Sequence, residues 1–122
     1  GIPFEIKNTK ILPVEVLHGS MPVMGFRIGD FTYITDAKYI SEDQIELVKG
    51  TKWLVINALR PSYKHKMHFD LEDALEFIDL INPEQAFITH LSHKFPPYKE
   101  LHSLLPKDKD IVFAYDGLEL NF

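Results

Sequence analysis

The order of hydrophobic and polar residues predicts short extended segments at the start of the chain. Residues 2–17 alternate apolar and polar stretches, which is typical of β-structure. Residues 24–35, MGFRIGDFTYIT, form two β-rich runs on either side of Gly29-Asp30, a pair that favours a hairpin or a tight bend. Residues 53–57, WLVIN, are apolar and β-branched without polar alternation, so they predict a strand covered on both faces.

Two helices are predicted between and after these strands. Ser41 and Gln44 have the spacing of a capping box ahead of an apolar run, and Gly50 is suited to the end of that helix. Asp70 can cap a second helix over residues 71–81, LEDALEFIDLI, whose apolar residues recur at helical spacing until Pro83 prevents continuation.

The last third of the chain predicts a further strand and a terminal hairpin. Residues 86–89, AFIT, have strand character, and a weak helix is predicted near residues 98–105. The segments IVFAY and LELNF predict two short strands joined at Asp116-Gly117. Alternating strands and helices in the middle, with antiparallel strands outside, predict a single α/β unit over residues 1–122, with a mixed sheet and helices packed against it.

Composition narrows the function classes. The 122 residues are 45% hydrophobic and 25% charged, with a net charge of −5 and no Lys/Arg run, which is unfavourable for binding a nucleic acid duplex. The sequence has no cysteine, so disulfides, thiolate nucleophiles and Cys-based zinc sites are excluded. It has neither a membrane-length apolar run nor a signal-peptide pattern, so we expect a cytoplasmic protein that does not enter a membrane.

Polar side chains follow several of the predicted strands. His18 ends PVEVL, Asp36 follows FTYIT, Asn57 closes WLVIN, and His90 follows AFIT. In α/β proteins, substrates and cofactors bind at the carboxyl ends of the strands. Two imidazoles and one carboxylate from His18, Asp36 and His90 would suit zinc, manganese or iron(II) rather than calcium or magnesium. No HExxH or HxH motif connects them, and each has a structural alternative: a hydrogen bond at the sheet rim, a turn, or a helix cap.

The ordered series HGSMPVMGFRIGDFTYITDA, LVINALR, HFDLEDALEFI, AFITHLSH and FAYDGLEL resembles the C-terminal half of the PhnP-like branch of the metallo-β-lactamase superfamily. The resemblance covers nearly the whole chain, from about residue 3 to residue 122. It implies half of an αββα sandwich, with helices on one side of a mixed sheet. It also implies two divalent metal ions, zinc or manganese, and hydrolysis of small phosphodiesters, including cyclic ribose phosphates, by a metal-bound hydroxide.

The resemblance assigns roles to individual residues. His18 would bind the first metal, Asp36 would bridge both metals, and His90 would bind the second. His68 resembles an additional active-site histidine that contacts the phosphate or protonates the leaving oxygen, although it could instead cover the start of the following helix.

Two further residues have less specific roles. His93 could hold His90, meet the substrate, or lie exposed in its loop. Arg60 could contact phosphate or pair with a carboxylate. The remaining histidines, His65 and His102, are expected to face solvent.

The sequence departs from the family in lacking the N-terminal HxHxDH motif. We therefore expect the metal site to be incomplete or empty in this chain alone, and the isolated chain to be inactive, because metal affinity depends on ligand number and geometry. A non-catalytic assembly module and a same-fold hydrolase of another ester, a lactam or a thioester are the alternative functions.

Half of a sandwich would leave one sheet face without a partner. We expect this face to be apolar and exposed, and the chain to form a homo-oligomer by sheet packing or by strand exchange across an open edge. The residues expected on the face are Phe26, Ile28, Tyr33, Val55 and Phe87.

Overall fold

The computed structural model describes residues 2–18, 20–35, 37–57, 71–89, 105–106, 110–114 and 118–119. These residues form one mixed sheet, whose strands lie in the order of the sequence, and two helices. The strands are β1 (Phe4–Ile6), β2 (Thr9–His18), β3 (Met21–Ile28), β4 (Phe31–Tyr33), β5 (Trp53–Asn57), β6 (Gln85–Thr89) and β7 (Ile111–Phe113). The helices are α1 (Glu42–Val48) and α2 (Leu71–Ile81).

The strand directions bring most carboxyl ends to one edge of the sheet. Strands β1 to β4 pair antiparallel in succession, whereas β4 to β7 pair in parallel. Because β2 and β4 both run antiparallel to β3, β2 runs in the same direction as β4 to β7. The ends of β2, β4, β5, β6 and β7 therefore lie along one edge, which we call the carboxyl edge.

Two tight turns connect the antiparallel strands. The predicted bend between β3 and β4 is confirmed, with Gly29 at a φ of 58°. The turn between β1 and β2 uses Lys7 and Asn8, at φ values of 50° and 69°, a left-handed conformation that is uncommon for residues with side chains. The amino acid pattern of residues 2–17 had predicted extended chain without locating this turn.

The core lies between the sheet and both helices. One sheet face contributes buried side chains from β2, β5, β6 and β7, and the same apolar cluster includes residues of α1 and α2. Both helices therefore pack on one face, as predicted. The strand residues are Val14, Val16, Leu54, Ile56, Ala86, Ile88 and Phe113, and the helix residues include Val48, Ala74, Phe77 and Ile78.

The start of α1 differs from the capping-box prediction. The helix follows Ser41 as predicted, but the Ser41 side chain makes no capping hydrogen bond. Gln44 instead turns towards β2, where its Oε1 accepts a hydrogen bond from the Glu15 N–H at 2.8 Å. The capping-box interpretation was wrong because Gln44 satisfies a strand donor rather than the helix start. Gly50, at a φ of 88°, follows the helix end as predicted.

Arg27 of β3 holds the other end of α1. Its Nη1 donates to the carbonyl oxygens of Leu47 at 2.9 Å and Lys49 at 2.7 Å, and its Nε donates to Gly29 O at 2.8 Å. A cation at the carboxyl end of a helix satisfies otherwise unpaired carbonyls and opposes the negative end of the helix dipole. Arg27 thus joins the β3–β4 hairpin to α1.

The opposite face of the sheet, which we call the outer face, carries an apolar row. Strand registers align Pro13, Phe26, Tyr33, Val55, Phe87 and Val112 across six strands. Phe26 and Tyr33 are 36% and 45% exposed, and the Phe4 ring packs edge-on against Phe26 with centroids 6.4 Å apart. Val55 and Phe87 are only 6% and 5% exposed, so predicting them as exposed was wrong. Ile28 is half-buried.

Parts of the predicted C-terminal region lie outside the described residues. The weak helix near 98–105 is described only at residue 105, and the Asp116-Gly117 turn is not among the described residues. The predicted strand IVFAY corresponds to β7, whereas residues 118–119 of LELNF are not in a strand. No helix in the described ranges is long and apolar enough to span a membrane.

Candidate functional site

Polar residues occur in the sequence at the ends of several strands, and these strand ends lie at the carboxyl edge. His18 is the last residue of β2 and is half-buried, and Asn57 is the last residue of β5 and is fully buried. Position 36 comes three residues after β4, and position 90 directly follows β6. The sheet thus brings the relevant strand ends to one edge.

Five of the predicted site residues lie outside the described parts of the chain. They are Asp36, Arg60, His68, His90 and His93, so their side-chain roles stay predictions. His18 is the one predicted ligand that falls within the described ranges. Within those ranges, no group of three or more His, Cys, Asp or Glu side chains is arranged to hold a metal ion.

The segment of residues 37–39 runs along the carboxyl edge and is bound to the end of β2. Leu17 N–H donates to Tyr39 O at 2.8 Å, and Lys38 N–H donates to Leu17 O at 2.7 Å. Leu17 immediately precedes His18, and residue 37 immediately follows Asp36. Main-chain hydrogen bonds therefore connect the chain beside one predicted ligand to the chain beside another.

Asn57 binds the same segment from the end of β5. Its Oδ1 accepts a hydrogen bond from Ala37 N–H at 3.0 Å, and its Nδ2 donates to Ala37 O at 2.9 Å. The sequence had identified Asn57 as a polar strand end but could not identify this partner, which lies 20 residues earlier in the chain. A buried strand ending in an amide is the signal that pointed to the position.

Lys38 extends the connections of this segment to α2. Its Nζ lies 3.3 Å from Asp73 Oδ2 in the first turn of the helix, and the two side chains are 26% and 18% exposed. Asp73 comes five residues after His68 in the sequence. The ion pair therefore fixes the helix that follows the predicted catalytic histidine to the segment that follows the predicted bridging aspartate.

Comparison with known protein families identifies the family to which the chain belongs. Residues 1–91 match the family described as the beta-lactamase superfamily domain. The chain belongs to this family. Several solved members of the metallo-beta-lactamase fold share its architecture, and proteins of that fold generally bind divalent metal ions.

Three solved structures illustrate the similarity. A diphosphatase from the PhnP family is 32% identical, with a TM-score of 0.91 over 98% of this chain and 46% of that protein. The metallo-beta-lactamase fold protein YhfI from Bacillus subtilis is 17% identical, with a TM-score of 0.79 over 96% of this chain and 50% of its own. The short form of human tRNase Z is 16% identical, with a TM-score of 0.71 over 94% and 42%. The last two show the fold alone.

A curated relative from Porphyromonas gingivalis (strain ATCC BAA-308 / W83) carries the name octanoyltransferase. It is 35% identical over 118 residues, which are 97% of this chain but 24% of that protein. The chain therefore spans about a quarter of this relative, and half or less of the three solved structures above.

Proposed function

We propose that the chain is the C-terminal part of a metal-dependent hydrolase that cleaves small phosphodiesters, including cyclic ones. The observation that carries the proposal is its similarity to the diphosphatase from the PhnP family, which is 32% identical and superimposes with a TM-score of 0.91. The more distant structures, at 17% and 16% identity, share only the fold with this chain. The PhnP-family diphosphatase shares the fold and also about a third of the aligned residues.

The proposed ligands are His18, Asp36 and His90, and the proposed ions are zinc or manganese. In support, His18 ends β2 at the carboxyl edge, and the strands that precede Asp36 and His90 end at the same edge. Two divalent ions would supply a nucleophilic water and offset negative charge on the phosphoryl group. His68 is the proposed donor of the leaving-group proton, and Arg60 and His93 are proposed substrate contacts.

The test uses the full-length gene product. We expect bound zinc or manganese, and metal-dependent hydrolysis of bis-p-nitrophenyl phosphate and of a cyclic ribose phosphate. A chelator should abolish the activity, and added metal should restore it. A metal-free, inactive gene product would contradict the proposal and support the alternative of a non-catalytic assembly module.

A second candidate is hydrolysis of an acyl ester or thioester. It is supported by the 35% identity to a segment of the Porphyromonas gingivalis octanoyltransferase, whose name refers to acyl transfer. The support is weaker, since the shared segment is 24% of that protein. Assays with a thioester and a lactam beside the two diesters separate the candidates, because the preferred substrate class should have the highest kcat/KM.

For the isolated chain we propose self-association through the outer face. The support is the apolar row across six strands, in which Phe26 and Tyr33 remain exposed. Exposed apolar side chains that adjoin one another, as Phe26 and Tyr33 do across β3 and β4, are typical of interaction sites. In the full-length gene product, the same face is the proposed packing surface for the rest of the domain.

A further inference from the structure

We infer that Asn57 is a positioning residue that holds the chain directly after Asp36, the proposed bridging ligand, at the carboxyl edge. The inference deepens the proposed function and rests on it, because it concerns the residue proposed to bridge two metal ions. It starts from the clamp between the Asn57 side chain and the backbone of Ala37, residues that lie on separate parts of the chain.

The clamp acts on the peptide group that Asp36 shares with Ala37. A peptide unit is planar, and the Ala37 N–H lies in the same plane as the Cα atom of residue 36. The hydrogen bond from Ala37 N–H to Asn57 Oδ1, at 3.0 Å, therefore restrains that plane. The second bond, from Asn57 Nδ2 to Ala37 O at 2.9 Å, prevents rotation about the first.

The environment of Asn57 makes this restraint strong. Both Asn57 and Ala37 are fully buried, so water cannot replace either hydrogen bond. Breaking one of them would leave a buried polar group without a partner, which costs more than a hydrogen bond contributes when it forms. An Asn side chain presents an N–H donor and a carbonyl acceptor side by side, which matches the C=O and N–H of a single residue.

The next residues are fixed as well, and they connect the clamp to His18. Lys38 and Tyr39 form the main-chain bonds to Leu17, the residue before His18. The chain on the carboxyl side of Asp36 is thus attached to the ends of both β2 and β5. A bridging carboxylate needs such support, because ligand positions must be held within about 0.5 Å and groups behind the ligands tune metal affinity.

The variant that tests the inference is Asn57→Asp, which preserves the shape and the acceptor but removes the Nδ2 donor. The matched control is Thr51→Val. Thr51 is also buried, and its Oγ1 donates to Val48 O and contacts Thr32 Oγ1, both at 2.6 Å. It lies near the amino end of β5, away from the carboxyl edge. Both variants lose a buried hydrogen bond, but only Asn57→Asp loses it next to Asp36, the proposed metal ligand.

The experiment titrates the full-length gene product with Co²⁺ and records the visible spectrum of the bound ion, with urea unfolding of each metal-free protein as the stability measurement. We expect Asn57→Asp to weaken Co²⁺ binding at least about tenfold and to alter the spectrum. Thr51→Val should keep the wild-type spectrum and affinity despite reduced stability. Asn57→Ser, which retains a hydroxyl and adds no charge, replaces Asn57→Asp if that variant does not fold.

The outcomes separate the inference from the proposed function. An Asn57 variant with wild-type affinity and spectrum overturns the inference, as does an equal loss of affinity in Thr51→Val. A wild-type protein that binds no Co²⁺ overturns the proposed function and the inference with it, and the wild-type titration alone reveals this.

Discussion

At the scale of single residues, Gly25 of β3 lies close against Tyr33, the last residue of β4, and Ile34, which follows it. A Cβ atom on residue 25 would lie 2.9 Å from Ile34 Cγ1 and 2.9 Å from Tyr33 O, and one of these contacts is backbone. Ile34 is fully buried in the core and cannot move away without opening a void. Any side chain at position 25 therefore displaces the core or the strand.

We predict that Gly25→Ala lowers the free energy of unfolding by about 1–3 kcal/mol through overpacking. Urea denaturation followed by circular dichroism measures the change. The control is Gly29→Asn, which has open space around the Cβ position and a φ of 58° that Asn tolerates. The control should lose less than about 1 kcal/mol. Similar losses in both variants would mean that the close contact is not the cause.

A second prediction at this scale concerns the proposed role of His68 in catalysis. If it donates the leaving-group proton, His68→Ala should lower kcat of the full-length gene product about 10²- to 10⁴-fold while bound metal is retained. Metal analysis and kcat are measured on the same sample. Loss of metal together with activity would instead make His68 a ligand, and wild-type activity would remove it from the site.

The residue-scale contacts were the hardest to predict from the sequence. The sequence identified Gln44 and Asn57 as polar groups in informative positions, but their partners are Glu15 and Ala37, 29 and 20 residues away. Local patterns report which residues precede a helix or end a strand. They do not report which distant backbone group needs a donor or an acceptor, since that depends on the assembled sheet.

At the scale of elements, the connection between β3 and α1 depends on Arg27. Its guanidinium binds two carbonyls at the end of the helix and one in the β3–β4 turn. These bonds involve a charged donor, and Arg27 is half-buried, so they should contribute more than a surface ion pair does.

We predict that Arg27→Met, which keeps the apolar stem, lowers the free energy of unfolding by about 1–2 kcal/mol. The control is Lys49→Met, which removes the exposed ion pair with Glu46 at the same end of the helix. That change should cost less than about 0.5 kcal/mol. Thermal and urea unfolding report both values, and an Arg27→Met variant as stable as the control would contradict the role.

Elements with a strong period or continuous burial were predictable. WLVIN corresponds to β5, with four of its five residues buried, and LEDALEFIDLI corresponds to α2. In both, one local property, continuous apolarity or helical spacing, decides the conformation. The turn between β1 and β2 was missed because Lys7 and Asn8 adopt positive φ without the glycine that marks such turns.

At the scale of the whole molecule, the prediction of a common sheet edge required the order and direction of the strands. Alternating strands and helices predicted parallel neighbours, and β4, β5 and β6 are parallel. The two expectations for Val55 disagreed: the continuous apolarity of WLVIN predicted cover on both faces of β5, whereas half of a sandwich predicted an exposed outer face. Val55 and Phe87 are buried, so the strand pattern was the better guide at β5.

We predict that the isolated chain is oligomeric at tens of micromolar and that Phe26→Lys shifts it towards monomer. A charge among the exposed side chains of the apolar row would have to be buried without a partner when two outer faces meet. Light scattering coupled to gel filtration measures the mass. The control is Leu80→Lys, a residue of α2 that is 53% exposed. A monomeric wild-type chain would contradict the prediction, as would equal shifts in both variants.

The side of β2 that faces away from β3 has a further consequence for the way copies of this chain can meet. Beyond the three residues paired with β1, the outward positions are Pro13, which has no N–H, Glu15, whose N–H is bound to Gln44, and Leu17, whose N–H is bound to Tyr39. A foreign strand arriving there finds no free donor to begin a ladder. Templated growth of a second sheet along this border is thereby blocked.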